Sequence, residues 1–318
     1  MRKLAGMRVY AIPMRARFRD IDVREGVLLR GSAGWAEFSP FREYDDAEAR
    51  AWWSAAQEAA EIGWPAPIRD RIPVNATIPA VPPERVGGIL SRFSGCTTAK
   101  VKIAAPGHPP AEDLDRLAAV RAALGPEGKI RIDANGSWEA DTAIRLLPEY
   151  DRAAGGLEYA EQPCASVEEL ASVRRRVSVP IAADESIRRA EDPARVARHE
   201  AADIVVLKVQ PMGGVRACLR IAEEIGRPVV VSSALETSIG IAAGVALAAA
   251  LPRLEHACGL ATVGLLERDV VADPLVAHDG ALPVRRPEPQ VELLAAVEAD
   301  DATSAWWHRR VDRLRGRG

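Results

Sequence analysis

Short apolar runs recur along this chain, the later ones at intervals of about 24 residues, and five of them carry a charged residue at or near their end. Successive intervals are marked by Glu161, Asp184, Lys208, Ser232 and His256. Runs of this kind are typical of strands buried on both faces, and the Ala-, Leu-, Glu- and Arg-rich stretches between them suit crossover helices. The repeat therefore predicts parallel strands with right-handed connections.

Earlier runs of the same character bring the number of candidate strands to eight. They are Val74–Val81, Thr98–Lys102, Ile130–Asn135, Leu157–Glu161, Ile181–Glu185, Ile204–Lys208, Pro228–Ala234 and Leu254–Leu260, with helices predicted at Val167–Val177, Pro193–His199 and Gly214–Gly226. Eight strand–helix units close into a (β/α)8-type barrel, whose active site lies at the carboxyl ends of the strands. An open doubly wound sheet is the alternative. Because no Gly-rich phosphate-binding turn follows the early strands, we favour the barrel.

The first part of the chain does not share this spacing and predicts a separate small unit. Its predicted strands are Met7–Ile12, Val23–Arg30 and Gly34–Phe38, and its predicted helix is Asp45–Ile62. Another helical pattern, Val291–Arg315, carries Trp306 and Trp307 and is expected to pack back on this unit. We therefore predict an α+β capping domain at 1–72, a barrel at 73–285 and a C-terminal helical segment at 286–318.

Charge, cysteine spacing and the length of the apolar stretches argue against several classes of protein. A formal net charge of −3 over 318 residues argues against a nucleic-acid partner held by a basic surface. The 4 cysteines lack CxxC spacing, which favours buried reduced thiols over a zinc site or disulfides. The Ala-rich stretch Ile239–Leu251 is too short to span a bilayer and predicts a buried barrel helix. We expect a cytoplasmic enzyme with neither a nucleic-acid nor a membrane partner.

Three acids stand at the tips of three successive predicted strands. Asp133, Glu161 and Asp184 should therefore converge at one end of the barrel. Converging carboxylates repel strongly at low dielectric unless a cation neutralises them. Mg²⁺ accepts oxygen ligands of this kind. A single acid at a strand end would more often cap a loop or lie on the surface, but three in register predict a divalent metal site.

Lysines flank these acids in the sequence. Lys100 and Lys102 are two residues apart, so they point to the same face of their strand, and Lys208 lies across the barrel mouth from them. Burial and like-charge proximity lower the pKa of a lysine towards neutrality, which suits a general base. A metal with a lysine on either side suits removal of a proton α to a carboxylate and stabilisation of the resulting enediolate. Taken alone, Lys100 could instead be a solvated charge.

Two nearby polar residues fall outside this set. His256 could touch a substrate or could be a hydrogen-bonded histidine of the barrel interior. Glu158 precedes Glu161 by three residues, so the strand alternation directs it to the other face, away from the metal.

In this order the motifs resemble the enolase superfamily, in its muconate-lactonising-enzyme-like branch. They are Lys100-Val101-Lys102, Asp133-Ala134-Asn135, Glu161-Gln162-Pro163, Asp184-Glu185-Ser186 and Leu207-Lys208. Each motif is weak alone, but five in order on consecutive strands are specific. The resemblance covers the whole chain and implies an α/β fold, a modified (β/α)7β barrel with a small N-terminal α+β capping domain.

Other stretches resemble the o-succinylbenzoate synthases of that branch, of the short actinobacterial type. They are Pro13-Met14-Arg15, Arg24-Glu25-Gly26-Val27, Gly34–Phe41, Val74-Asn75-Ala76-Thr77 and Ser232–Ser238. The implied reaction is that of a hydro-lyase in menaquinone biosynthesis. It is the syn dehydration of 2-succinyl-6-hydroxy-2,4-cyclohexadiene-1-carboxylate (SHCHC) to o-succinylbenzoate.

The resemblance also implies a role for each site residue. Asp133, Glu161 and Asp184 would ligate Mg²⁺, or Mn²⁺ in its place. Lys102 would be the base, Lys208 would stabilise the enediolate from the opposite side, and Lys100 would tune Lys102 and neutralise the substrate carboxylate. Asn135 and Glu185 would support the metal ligands. Ser232, Ser233 and Leu235 would meet the succinyl tail, through backbone N–H groups as much as hydroxyls. No organic cofactor is implied, and the partner would be a small carboxylate bound by a monomer or a small homo-oligomer.

One segment departs from the family pattern. The stretch between Ile12 and Arg24 is shorter than the mobile loop that many relatives have there. Contacts that such a loop would make to the substrate are therefore in question, and Phe18, Arg19 or the barrel loops could supply them instead.

Three alternatives stay open at this point. The two opposed lysines, Lys102 and Lys208, would also suit an N-acylamino-acid racemase or a dipeptide epimerase. Lys208 could form a Schiff base, as in barrel aldolases, although that leaves the three acids unexplained. The barrel could also bind a metal and an acidic ligand without catalysis.

Overall fold

The N-terminal part of the chain forms a three-stranded antiparallel sheet followed by a helix, as the sequence predicts. The computed structural model describes residues 6–18, 21–188 and 192–316. The elements are β1 (Arg8–Phe18), β2 (Ile21–Arg30), β3 (Trp35–Phe38) and α1 (Asp46–Gln57), which continues into a π-helical turn at Glu58–Ile62. A capping box begins α1, because the side chains of Asp45 and Glu48 accept each other's backbone N–H groups.

Seven parallel strands then curl into a barrel, neighbouring one another in chain order. With β4 (Arg71–Pro73) before them, they are β5 (Ala76–Ile78), β6 (Thr98–Lys102), β7 (Lys129–Asp133), β8 (Leu157–Glu161), β9 (Ile181–Ala183), β10 (Ile204–Lys208) and β11 (Val229–Ser232). The helices are α2 (Val86–Leu90), α3 (Pro110–Leu124), α4 (Ala140–Ala154), α5 (Val167–Arg174), α6 (Glu185–Arg188), α7 (Arg195–Arg198), α8 (Val215–Ile225) and α9 (Ser238–Ala250), with 3-10 turns at Pro83–Arg85 and Ala261–Leu265. The predicted α/β barrel with a small N-terminal α+β unit is confirmed.

The eighth position of the barrel is not the regular strand that was predicted at Leu254–Leu260. Cys258 and Gly259 instead make single parallel bridges to Val74 and to Ser232, which closes the ring between β5 and β11. The N–H of Gly259 donates to the carbonyl of Val231 at 2.8 Å. Regular pairing stops there because the chain turns at once into the 3-10 helix that begins at Ala261.

The C-terminal segment returns to the N-terminal sheet. Instead of the one predicted helix, it forms α10 (Val291–Ala295) and α11 (Asp301–Arg315), because Asp300 caps a new helix by accepting the N–H of Thr303. Before them, β12 (Ala281–Pro283) pairs with β4 in antiparallel fashion. Trp307 is 1% exposed, and its ring packs edge-on against Phe38 with centroids 5.9 Å apart. The domain boundaries at residues 72 and 285 stay predictions.

Helix α9 is apolar and buried almost all round, as predicted for a helix inside the barrel wall. Among the described residues, no helix is both long enough and apolar enough to cross a membrane. All four cysteines are free; Cys164, Cys218 and Cys258 are buried and Cys96 is half-buried.

Candidate active site

A cavity of about 720 Å³ lies between the N-terminal sheet and the carboxyl ends of the barrel strands. The N-terminal unit contributes Arg17, Phe41, Tyr44 and Trp52 to its wall. The barrel contributes the predicted residues Lys100, Lys102, Asp133, Asn135, Glu185, Lys208, Ser232, Ser233 and Leu235. The strand tips therefore open into one shared cavity, as expected of a barrel enzyme.

Strand register brings the three acids together next to this cavity, whose lining includes Asp133 but not Glu161 or Asp184. Asp133, the last residue of β7, pairs with Glu161, the last residue of β8. Asp184 follows β9 directly, and its backbone N–H donates to Gln162 Oε1 at 2.9 Å. All three carboxylates are buried. Neighbouring parallel strands thus place three acids from distant parts of the chain side by side.

The lysines interleave with these acids. Lys100 Nζ donates to Glu161 Oε1 at 2.9 Å and lies 3.2 Å from Asp133 Oδ2. Lys102 Nζ donates to Asp133 Oδ2 at 2.5 Å, and Lys208 Nζ donates to Asp184. The three predicted lysines and the three predicted acids therefore form one cluster of alternating charge.

The carboxylate oxygens of the three acids are suitable ligands for a divalent cation, although in this structure lysine ammonium groups lie between them. Within residues 6–18, 21–188 and 192–316, no three His, Cys, Asp or Glu side chains are grouped as a ready ligand set. Glu161 Oε2 is nonetheless buried and accepts no hydrogen bond from any described residue. A buried carboxylate oxygen without a donor is a poor arrangement unless a cation or water meets it. The residues fit a metal, provided that the ammonium groups of Lys100 and Lys208 shift aside.

The charges shift the pKa values of these groups in opposite directions. Burial and the charge on Asp133 raise the pKa of Glu161 to about 7. Burial would also raise the pKa of Asp133, but Lys102 and Lys100 hold it well below its usual range. Burial would lower the pKa of Lys100, but the carboxylates of Glu161 and Asp133 outweigh it and raise that pKa well above its usual value. The expectation of a lowered lysine pKa is therefore wrong for Lys100, because it treated the lysine pair without the acids.

Supporting hydrogen bonds surround the acids. The N–H of Asn135 donates to Asp133 Oδ1 at 3.0 Å, and Asn135 Nδ2 donates to Glu185 Oε1 at 3.3 Å. Sequence reasoning missed Arg188, whose Nε donates to Asp184 Oδ1 at 3.1 Å and whose Nη1 donates to the Tyr44 hydroxyl at 3.2 Å. Its position one helical turn after Asp184 was the only available signal.

The predicted substrate loop also lines the cavity, but some of its groups are already engaged. Ser233 Oγ lies 2.7 Å from Thr262 Oγ1, and the N–H of Ala234 donates to Glu236 Oε2 at 2.6 Å. Leu235 has a φ of +66°, a left-handed conformation that is uncommon outside glycine. The expected role of backbone N–H groups therefore does not extend to Ala234, whose N–H is used within the loop.

The cavity lining includes two basic residues that sequence reasoning did not assign. Arg17 lies near the end of β1, and His108 follows β6. His108 Nδ1 lies 2.8 Å from Glu112 Oε2. Phe18 and Arg19 were possible substrate contacts in the sequence, but Arg19 and the side chain of Phe18 lie outside the described part of the chain.

The two residues set aside earlier are linked to each other. His256 Nδ1 and Glu158 Oε1 lie 3.0 Å apart, and Glu158 Oε2 accepts from Arg131 Nε at 2.5 Å. His256 is thus a hydrogen-bonded histidine of the barrel. Glu158 bonds to His256 and Arg131 instead of to the three lysines of the cluster.

Comparison with known proteins identifies the family of the chain. The family of enolase C-terminal domain-like proteins matches residues 90–289, and that of enolase N-terminal domain-like proteins matches residues 9–60. An o-succinylbenzoate synthase of Thermobifida fusca is 64% identical over 95% of this chain and 94% of its own length. Another, of Mycolicibacterium smegmatis, is 54% identical over 97% of this chain and 94% of its own length.

A solved structure supports the fold alone. The 2-chloromuconate cycloisomerase of Rhodococcus opacus has a TM-score of 0.77 at 24% identity, covering 93% of this chain and 99% of that one. Identity and coverage of the two synthases place the chain more narrowly. The chain belongs to the enolase superfamily and, within it, to the o-succinylbenzoate synthase family.

Proposed function

We propose that the cluster of three acids and three lysines removes a proton α to a carboxylate, with Lys102 as the base and a divalent cation held by Asp133, Glu161 and Asp184. The observation that carries this proposal is the interleaving of Lys102 and Lys208 with Asp133 and Asp184 in one buried site. Bound there, the cation would supply positive charge to the carboxylate oxygens of the substrate. We take it to be Mg²⁺, because all three side chains offer oxygen ligands.

The reaction is the dehydration of SHCHC to o-succinylbenzoate. High identity to o-succinylbenzoate synthases over nearly the whole chain supports this activity over the racemase or epimerase alternative. The Schiff-base alternative is not favoured either. Lys208 donates a hydrogen bond to the buried Asp184, and a Schiff-base reaction would leave the three acids without a role.

The order of proton transfers follows from the stereochemistry. In a syn elimination the α proton and the hydroxyl leave from one face of the ring. Lys102 takes the proton, and its ammonium group then faces the departing hydroxyl and returns a proton to it as water. From the far side of the cluster, Lys208 contributes a positive charge to the carbanionic substrate. Lys100, bonded to Glu161 and close to Asp133, stays charged and neutralises the carboxylate of the substrate.

The cavity rim suits the second carboxylate of this substrate. Arg17 and His108 line the same cavity as the lysines, and Ser232, Ser233 and Leu235 line the wall that the succinyl tail would meet. Asn135 and Glu185 would keep the ligand side chains in place through their hydrogen bond. A cytoplasmic location and a monomeric or small homo-oligomeric state stay predictions.

One assay separates the two activities. Purified protein with Mg²⁺ is mixed with SHCHC, and the loss of the diene absorbance is followed; a parallel sample contains an N-succinylamino acid and is followed by optical rotation. We expect rapid loss of the SHCHC absorbance. If SHCHC persists while the amino-acid derivative racemises, the site chemistry stands and the assigned substrate is wrong.

A further inference from the structure

Three stretches of sequence that resemble the synthases take no part in the chemistry, yet they meet in one buried polar cluster between the N-terminal sheet and the barrel. Arg24 comes from β2, Glu37 from β3, and Glu236 and Thr237 from the loop between β11 and α9. They are 2%, 3%, 4% and 0% exposed respectively. Buried charged side chains are uncommon unless they form hydrogen bonds or ion pairs with specific partners. The partners of these side chains therefore indicate their role.

Arg24 holds the backbone of the substrate loop. Its Nε donates to the carbonyl of Leu235 at 3.0 Å, and its Nη2 donates to the carbonyl of Ala234 at 3.2 Å. The same guanidinium also donates to the carbonyl of Ser39 and lies 4.5 Å from the ring centroid of Phe41, which lines the cavity. A single guanidinium of the N-terminal sheet therefore donates hydrogen bonds to two successive carbonyls of the predicted substrate loop.

Glu37 holds the other end of the loop. Its Oε2 accepts the backbone N–H groups of Thr237 and Gly240 at 3.1 Å each and also the Thr237 hydroxyl. Its Oε1 accepts from the Tyr10 hydroxyl at 2.8 Å and from Ser39 Oγ at 2.7 Å. This carboxylate satisfies N–H groups at the start of α9, which the helix itself cannot satisfy.

The loop has a conformation that needs such support. Leu235 occupies the left-handed region, which costs free energy for a residue with a branched side chain. Its carbonyl and the carbonyl before it are the two that Arg24 binds. The hydrogen bonds from Arg24 are therefore made at Ala234 and Leu235, where the strained backbone would otherwise change conformation most readily.

We infer that Arg24 and Glu37 are positioning residues for substrate binding: they hold the loop 232–238 in the shape that presents Ser232, Ser233 and Leu235 to the substrate. This inference rests on the proposed function, because it assigns the loop to the succinyl end of SHCHC. Neither residue touches the acids or lysines of the reacting cluster. The N-terminal sheet thus contributes to specificity through the barrel loop as well as through the side chains that it places in the cavity wall.

If Arg24 only stabilised the contact between the two units, its loss would not specifically affect substrate binding. A control variant elsewhere in the barrel separates these two roles. Arg121 also donates to backbone carbonyls, among them those of Ala154, Gly125 and Gly128, but it does so at the opposite end of the barrel. Arg24→Met and Arg121→Met each remove a guanidinium that bridges carbonyls. Only the first should affect the substrate loop.

The experiment measures kcat and KM for SHCHC in both variants, together with amide hydrogen exchange of residues 232–238 in the substrate-free protein. For Arg24→Met we expect KM to rise about tenfold with a smaller change in kcat, and loop exchange to become faster. Arg24→Lys should recover part of the KM, since an ammonium can still donate to one carbonyl. Arg121→Met should leave KM and loop exchange unchanged.

Thr237→Val provides a milder test from the loop side if Arg24→Met does not fold. It removes the hydroxyl that bonds to Glu37, and a rise in KM with faster loop exchange is expected. Unchanged KM and unchanged loop exchange in the folded variants would overturn the inference, as would equal effects from Arg121→Met. Failure of the wild-type protein to turn over SHCHC would count against the proposed function instead, and the exchange data would still show whether Arg24 holds the loop.

Discussion

Lys102 and Lys208 donate to different acids of the same buried cluster, the first to Asp133 and the second to Asp184. Glu161 stands on the strand between those acids, so the two ammonium groups approach the cluster from opposite sides. A planar substrate carbanion bound over the acids would have one lysine towards each face. This relationship separates the base from the group that stabilises charge and gives each lysine a distinct kinetic signature.

Replacing Lys208 with alanine should remove charge stabilisation in the transition state while leaving proton abstraction by Lys102 possible. We expect kcat and kcat/KM for SHCHC to fall together by about 100-fold or more, because the interaction is made in the transition state. Steady-state kinetics measure this directly. A raised KM with unchanged kcat would mean that Lys208 only binds the substrate.

Replacing Glu161 with glutamine should weaken binding of the divalent cation. The buried Oε2 of Glu161 lacks a hydrogen-bond donor among the described residues, and an amide there offers a weaker ligand. We expect the Kd for Mg²⁺, measured by calorimetry, to rise at least about tenfold. Glu158→Gln is the control on the same strand, since Glu158 bonds to Arg131 and His256. Equal affinities in the two variants would remove Glu161 from the ligand set.

Stability should depend on pH through Glu37. Burial and the neighbouring Glu236 raise the pKa of Glu37 to about 7, above its usual 4.5. The folded state therefore holds a proton that the unfolded state releases, and this contribution to the free energy of unfolding falls as pH rises from about 4.5 to about 7. Over that range it amounts to up to about 3 kcal/mol.

Urea unfolding of Glu37→Gln at pH 5 and pH 8 tests this dependence. The variant should lose that part of the pH slope, because glutamine does not titrate. Glu298→Gln, which changes an exposed glutamate 3.5 Å from Arg8, should keep the wild-type slope. An unchanged slope in Glu37→Gln would show that the carboxyl is ionised throughout.

Gly240 lies at a point where the N-terminal sheet and the barrel approach closely. A Cβ atom at this position would lie 2.5 Å from Glu236 Cβ and 3.0 Å from Glu37 Cδ. We expect Gly240→Ala to lower the free energy of unfolding by about 2 kcal/mol or more. A Cβ atom at Gly87 on α2 would have no atom of the described residues within 4 Å, so Gly87→Ala should instead be neutral or stabilising by up to about 1 kcal/mol. Thermal or urea unfolding of both variants compares them, and similar stabilities would contradict the predicted clash.

The strand tips could be predicted because each depends only on local sequence and strand spacing. Asp133, Glu161 and Lys208 end the strands that the apolar runs predicted, and parallel pairing then brings them together. Two local predictions failed where neighbours decide the outcome. The eighth strand yields to a 3-10 turn at Ala261, and the pKa of Lys100 is set by acids from two other strands.

The cluster around Arg24 lay beyond prediction for a related reason. Its bonds join residues separated by about 200 positions in the chain, and no periodicity or motif encodes that pairing. Arg188 is similar, because its bond to Tyr44 of the N-terminal unit depends on how that unit sits over the barrel. Long-range polar contacts of this kind follow from the assembled fold.

The most direct test of the account is the rate of SHCHC dehydration by Lys102→Ala, compared with Lys129→Ala on the neighbouring strand. Lys129 is exposed and pairs with Glu158, so its loss should leave the rate unchanged. Lys102→Ala should lose about 1000-fold or more in kcat while it still binds Mg²⁺ and remains folded. A folded Lys102→Ala protein that dehydrates SHCHC at a rate close to that of the wild type would contradict the assignment of Lys102 as the base.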